Sequence, residues 1–241
     1  MRFIFETLKY GNYYDEIDLH FNRGYKEIPS EIRLIKIILD AYSIHNKDII
    51  AGDVCSCPWV VNIPQDPEEE RLFRIEQASL SSKKLIISAA HGVEGFVLES
   101  IRDFPTTYRH ALKESFRLAG IFGEEKEPRP VFYAYKQTIE KIKDATKAEC
   151  WEGEGVYAYR FYFHGKSPIY VVWSETGIKK VKLSVSSGTV KIEKLALNKN
   201  TEHKTAKASD RAVVVEIDDK PLFLEETGES SESVKIDSAS L

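Results

Sequence analysis

The chain is predicted to be α/β in its first half and all-β in its second. Three observations carry that expectation. Residues 1–144 alternate helix-period and strand-like apolar patterns, the signature of parallel strands covered by helices. From Glu149 onward the pattern changes to short alternating stretches separated by turn residues, as in an antiparallel β-sandwich or small barrel. The length, 241 residues, suits one large domain or two modest ones.

In chain order, residues 2–10 resemble the tail of a helix stopped by Gly11. Residues 14–21 alternate, with Ile17, Leu19 and Phe21 on one face and Glu16, Asp18 and His20 on the other. Pro29-Ser30 opens a helix whose stripe Ile32, Ile35, Leu39, Tyr42 is expected to end near His45-Asn46. A short apolar strand, Ile49-Ile50-Ala51-Gly52-Asp53, follows at once. Asp66-Pro67-Glu68-Glu69-Glu70 has the makings of a strong helix start: a cap, a first-turn proline and acidic residues at the positive end of the dipole. That helix is expected to run toward Ala90, with Ser81-Ser82 as a candidate break. A third strand is expected over residues 95–101, and Arg129-Pro130 starts a last helix with Val131, Tyr135, Ile139 and Ile142 on one side.

The β-rich half predicts strands over 156–163, 169–173, 179–185, 189–195, 211–217 and 221–225. The polar stretch 198–209 reads as a loop, and Trp173 as sandwich core. The sandwich is expected to pack on the last helix through Phe132, Tyr135 and Ile139. The expected division is residues 1–146, residues 147–226 and a disordered tail over 227–241.

Composition excludes several classes. Lys plus Arg number 34 and Asp plus Glu 38, a net charge of −4, which is no footprint for nucleic acid. Three cysteines make no disulfide framework, and Cys55-x-Cys57 lacks the partner pair of a zinc site, so neither metal nor other cofactor is expected. No apolar stretch approaches the ~20 residues that cross a bilayer. Charge interrupts Met1-Arg2-Phe3-Ile4-Phe5-Glu6, unlike a secretory signal, so a cytoplasmic protein without membrane partners is expected.

Chemistry in parallel α/β architectures gathers where strands end and the following loops begin. Asp53 stands at such a point, as a candidate nucleophile or base. A strand-end aspartate that merely caps its loop is about as common. His20 would point to the same rim, although a single strand histidine is more often structural than catalytic.

Four stretches carry a resemblance: Ile17-Asp18-Leu19-His20-Phe21-Asn22, Lys47-Asp48-Ile49-Ile50-Ala51-Gly52-Asp53, residues 92–103 from Gly92 to Asp103, and Gly120-Ile121-Phe122 with Pro128-Arg129-Pro130-Val131-Phe132-Tyr133-Ala134-Tyr135-Lys136. Their order and spacing resemble the C-terminal part of retaining (β/α)8-barrel glycoside hydrolases of the β-xylosidase-like clan that carry an appended β-sandwich. The first three resemble the sixth, seventh and eighth barrel strands, the last the family's closing motif. The resemblance implies a partial barrel, about the last three βα units. It implies a nucleophile position at Asp53 and a sugar site lined by His20, Asn22, Trp59, Leu98 and Glu99.

The departures are equally specific. Asp53 stands where the family has Glu, Leu98-Glu99 where it often has Trp-Tyr, and Asn22 where it has Tyr. The family's acid is the Glu of an Asn-Glu pair, and this sequence contains no Asn-Glu. Three readings follow. The first is a truncated or split glycosidase, inactive alone, whose acid comes from a complementary chain. The second is a non-catalytic carbohydrate-binding or assembly module derived from a glycosidase. The third, a self-contained α/β domain, is disfavoured because no phosphate loop or Ser/Cys nucleophile motif is present. Three parallel strands also leave open edges, so a complementary chain or a second copy is expected to cover them.

Overall fold

The computed structural model describes residues 14–21, 24–45, 47–54, 56, 64–104 and 118–227. The expected helix over 2–10 lies outside these residues, as does nearly all of the expected tail.

The first half builds a three-stranded parallel sheet from β1 (Glu16–His20), β2 (Asp48–Val54) and β3 (Gly95–Leu98), in that spatial order. Helices α1 (Ile28–Ala41), α2 (Pro67–Ala90) and α3 (Pro130–Ile142) join or follow the strands. The strand β3 is shorter than expected, and Ile101 beyond it instead accepts the backbone N–H of Phe122.

Helix α1 buries Ile28, Ile32 and Leu39 and stops earlier than its apolar stripe suggests. Ser43 takes a left-handed φ of 54°, its N–H bonds Asp40 O, and the N–H of Ile44 bonds Leu39 O. That is a Schellman close made with serine where glycine is usual. Helix α2 starts as predicted: Asp66 accepts the N–H groups of Glu68 and Glu69, both at 2.9 Å, and Glu69 reaches back to the N–H of Gln65. It runs 24 residues without the break considered at Ser81-Ser82. Both serines are fully buried, and Ser82 Oγ accepts from Thr138 Oγ1 of α3. The small side chains let two helices approach rather than interrupting one. Gly92, at φ +80°, closes the helix.

The second half forms a six-stranded antiparallel sheet in the order β4-β5-β6-β11-β8-β9 and a two-stranded sheet, β10-β7. The strands are β4 (Lys147–Gly153), β5 (Val156–Phe163), β6 (Lys166–Ser174), β7 (Lys179–Ser184), β8 (Thr189–Lys194), β9 (His203–Lys207), β10 (Ala212–Ile217) and β11 (Leu222–Glu226). Alternate residues serve two cores. Ala158, Tyr170, Val172, Ile192 and Leu224 meet Val181, Leu183, Val213 and Val215 of the small sheet. Tyr159, Phe161, Val171, Trp173 and Phe223 join Ile28, Ile49, Ala51 and Ile86 on the helical side. With both faces of β6 covered, residues 168–174 are all buried.

Two expectations are corrected here. The stretch 198–209 contains β9, whose side chains are almost all exposed. An edge strand with one face in water has no need of the apolar alternation that would have revealed it. Trp173 does not lie between the two sheets. It stacks on Tyr157 and Tyr159, at 5.1 and 5.3 Å between centroids, and meets Tyr25 edge-on on the helical side. On α3, Tyr135 and Ile139 pack against the core that includes Phe161 and Ile169 of the six-stranded sheet; Tyr135 also donates to Phe96 O in β3, and Phe132 packs on Phe122. Polar bonds add to the apolar core that α3 shares with the six-stranded sheet: the Gln137 amide donates to Lys194 O and accepts from Ala196 N.

What positions the site is the face of the parallel sheet that none of the described helices covers. Ile49, Ala51 and Val54 of β2 are buried on the helical side, whereas Glu16, Asp18 and His20 of β1 and Val97 of β3 are exposed on the other. Parallel sheets are ordinarily covered on both faces.

Candidate functional site

The register between β1 and β2 creates the site. Asp18 pairs with Ile50, but His20 pairs with Asp53, so β2 spends one more residue than β1 over this step. Strict alternation after buried Ile49 and Ala51 would turn residue 53 toward the helices. The extra residue, a β-bulge at Gly52, turns Asp53 to the open face instead, the kind of re-aiming bulges perform. Gly52 is needed there. Its N–H donates to Asp18 Oδ1 at 2.7 Å, and a Cβ on it would fall 2.4 Å from the same oxygen.

His20 lies between two carboxylates. Its Nε2 is 3.2 Å from Asp18 Oδ2 and its Nδ1 is 3.5 Å from Asp53 Oδ2. All three side chains are 38–53% exposed, at the C-terminal ends of β1 and β2. Such a group can present an oriented carboxylate to an electrophile or hold a proton on the imidazole. Glu99 is exposed just past β3, and its N–H donates to Val54 O.

Leu98 is a correction. It pairs with Val54 and packs against the buried core on the helical side, so it does not line the open face. Asn22 and Trp59 lie outside the described residues. Among the described residues, no group of three or more His, Cys, Asp or Glu side chains is placed to hold a metal ion.

Beneath the site is a buried polar support. Lys84 of α2, fully buried, donates to the carbonyl of Phe21, the residue after His20, at 2.8 Å. Ser56, three residues past Asp53, donates to Ala119 O and accepts from Gln77. Arg74 pairs with Asp103 at 2.6 Å, both nearly inaccessible, and Asp103 also accepts from Arg129 and from the N–H of Gly120. Gly120 leaves no space for a Cβ, which would sit 2.0 Å from Asp103 N. These residues lock the segments after β2 and β3 to α2.

Sequence reasoning placed Asp18 on the correct face of its strand without assigning it a role, and it missed Lys84. A lysine at a core position of a helix is the only signal the latter offered.

No family model and no curated protein matches the chain. Solved structures do. A family 39 glycoside hydrolase from the gut symbiont Bacteroides cellulosilyticus WH2 matches with a TM-score of 0.61 at 12% identity, over 81% of this chain and 38% of its own. A family 39 β-xylosidase from Caulobacter crescentus matches with a TM-score of 0.54 at 13% identity, over 92% of this chain and 54% of its own. The chain has a glycosidase-like fold. An arabinofuranosidase of family 51 from Xanthomonas axonopodis pv. citri agrees at 9% identity, with a TM-score of 0.52, over 90% and 53% of the two chains. The chain thus spans 38–54% of the length of these three structures.

Proposed function

We propose that this chain is the nucleophile-side portion of a retaining glycosidase: the last three βα units of a (β/α)8 barrel with a β-sandwich appended. The observation that carries the reading is the bulge at Gly52, which brings Asp53 beside His20 on the open face at the strand ends. In retaining hydrolysis one carboxylate attacks the anomeric carbon, forming a glycosyl ester as a second carboxylic acid protonates the departing oxygen. Water then hydrolyses the glycosyl ester, the second carboxylate now taking the water's proton, with the two carboxyl groups about 5 Å apart.

Asp53 is assigned the attack, and His20 and Glu99 the lining of the sugar site. Asp18 does not suit the acid role, because Gly52 N–H and His20 already engage its carboxylate. The acid therefore comes from the strands that complete the barrel, whether on a longer polypeptide or on a separate complementary chain. The edges of β1 and β3 are the surfaces such strands pair with. A second copy of this chain would use the same edges, and sizing chromatography distinguishes monomer from assembly.

The test is aryl-glycoside hydrolysis by the chain joined with its completing strands. Asp53→Asn abolishes turnover if the assignment is right, and turnover that survives the substitution removes Asp53 from the mechanism.

A second reading, a non-catalytic carbohydrate-binding or assembly module, is favoured by Leu98 facing the core where an aromatic platform would be useful. Saccharide binding unaffected by Asp53→Asn, with no turnover in any assembly, would support it. No described helix is long and apolar enough to cross a membrane.

A further inference from the structure

A second cleft lies between α3 and the rim of the six-stranded sheet, about 530 Å³ in volume, a size that holds one or two sugar rings. None of the residues lining it belongs to the Asp53 cluster. We propose that this cleft is a binding site for a neutral saccharide, read by a fixed donor–acceptor pair on its floor and aromatic edges on its rim.

The floor is Lys141, clamped by Glu193 at 2.7 Å and Glu225 at 2.9 Å. Burial works against the charge of Lys141, but the hydrogen bonds to Glu193 and Glu225 more than offset it and hold the amine protonated. An ammonium has three donors, and these two bonds use two of them. On Glu225 it is Oε2 that meets Lys141, and Oε1 has no partner among the described residues. A spare donor and a spare acceptor therefore sit side by side. Vicinal hydroxyls match such a pair, one oxygen accepting while its neighbour donates.

Gln137 cannot swing into the cleft, because both ends of its amide are tied to the backbone at Lys194 and Ala196. The floor is thus preorganised, which lowers the ordering cost of binding.

Charge decides against an ionic ligand. The lining holds four lysines and four carboxylates, and beyond the clamp Lys136 pairs with Glu140 and Lys166 with Asp144. An anion or cation gains no net attraction there. Phe132, Tyr133 and Phe163 add apolar surface at the edge, suited to the C–H face of a sugar ring.

The test is an amide-resolved NMR titration of the full chain with xylobiose and with cellobiose, with inorganic phosphate as the ionic control. Saturable shifts are expected at Gln137, Lys141 and Ala196. Glu225→Ala should weaken binding about tenfold, and Phe163→Ala severalfold, with both variants melting within a few degrees of the parent. Three results each overturn the proposal: no saturable shift with either disaccharide, shifts confined to residues outside the cleft, or phosphate moving the same amides at lower concentration. The mapping is by residue, so binding at Asp53 is read separately.

Discussion

Replacing Asp103 tests whether the loops beneath the site are held as described. Its carboxylate is 3% exposed and accepts from Arg74 Nη2 at 2.6 Å, Arg129 Nη2 at 3.2 Å and Gly120 N at 3.0 Å. Asp103→Ala leaves the Arg74 guanidinium, itself 4% exposed, with only the part-exposed Glu70 carboxylate at 3.5 Å as a charged partner, and leaves the Gly120 N–H without its acceptor. Breaking a buried pair from one side costs about 3–5 kcal/mol. Arg74 keeps Leu118 O at 2.8 Å and Gln77 Oε1 at 3.1 Å, so the lower end, about 3 kcal/mol, is expected.

Asp103→Asn retains the shape and one acceptor and should lose about half as much. Urea denaturation followed by the fluorescence of buried Trp173 gives both values. The double substitution with Arg74→Met should lose less than the sum of the single changes, since the stranded charge is then gone. If Asp103→Ala and Asp103→Asn both fall within about 0.5 kcal/mol of the parent, the range of ordinary surface changes, the buried pair does not hold these segments.

Further outcomes are expected elsewhere. Gly52→Ala should displace the Asp18 carboxylate and shift the His20 ring resonances in NMR spectra, while costing less than about 1 kcal/mol because Asp18 is partly exposed. Burial alone would raise the pKa of Glu175, but the interactions with Lys83, Tyr25 and Lys26 together outweigh it and hold the carboxyl below its usual range. Its contribution to stability is therefore complete above the unfolded carboxylate pKa and lost as pH falls through the lower folded value. The stability gap between parent and Glu175→Gln should be present at pH 6 and shrink by pH 3 in urea titrations. Burial, with Glu152 and Glu149 nearby, pushes the Cys150 thiol up to about 11. In a Cys55→Ser, Cys57→Ser background its alkylation at pH 8 should be more than tenfold slower than in the urea-unfolded chain.

Legibility in the sequence followed how local the controlling physics was. The start of α2 was readable because Asp66, Pro67 and Glu69 do their work within one turn. The end of α1 was not, because Ser43 adopts the left-handed conformation where glycine would have been the signal. The alternation of β1 placed Asp18 and His20 correctly, since one face of that strand is solvated. In β2 the same rule points Asp53 the wrong way, and only the bulge, a product of pairing with β1, restores it to the open face. Leu98 was placed by resemblance rather than by its own environment, and the pairing with Val54 decided its direction. Trp173 was correctly read as buried, but not against which layer, because β6 is apolar on both faces.

The most direct test is hydrolysis of a panel of aryl glycosides by the 241-residue chain alone, measured beside its Asp53→Asn variant. A site holding only the attacking carboxylate gives no turnover above that of the variant. Turnover by the chain alone that Asp53→Asn abolishes would mean that the acid is already present in these residues, and would contradict the half-site.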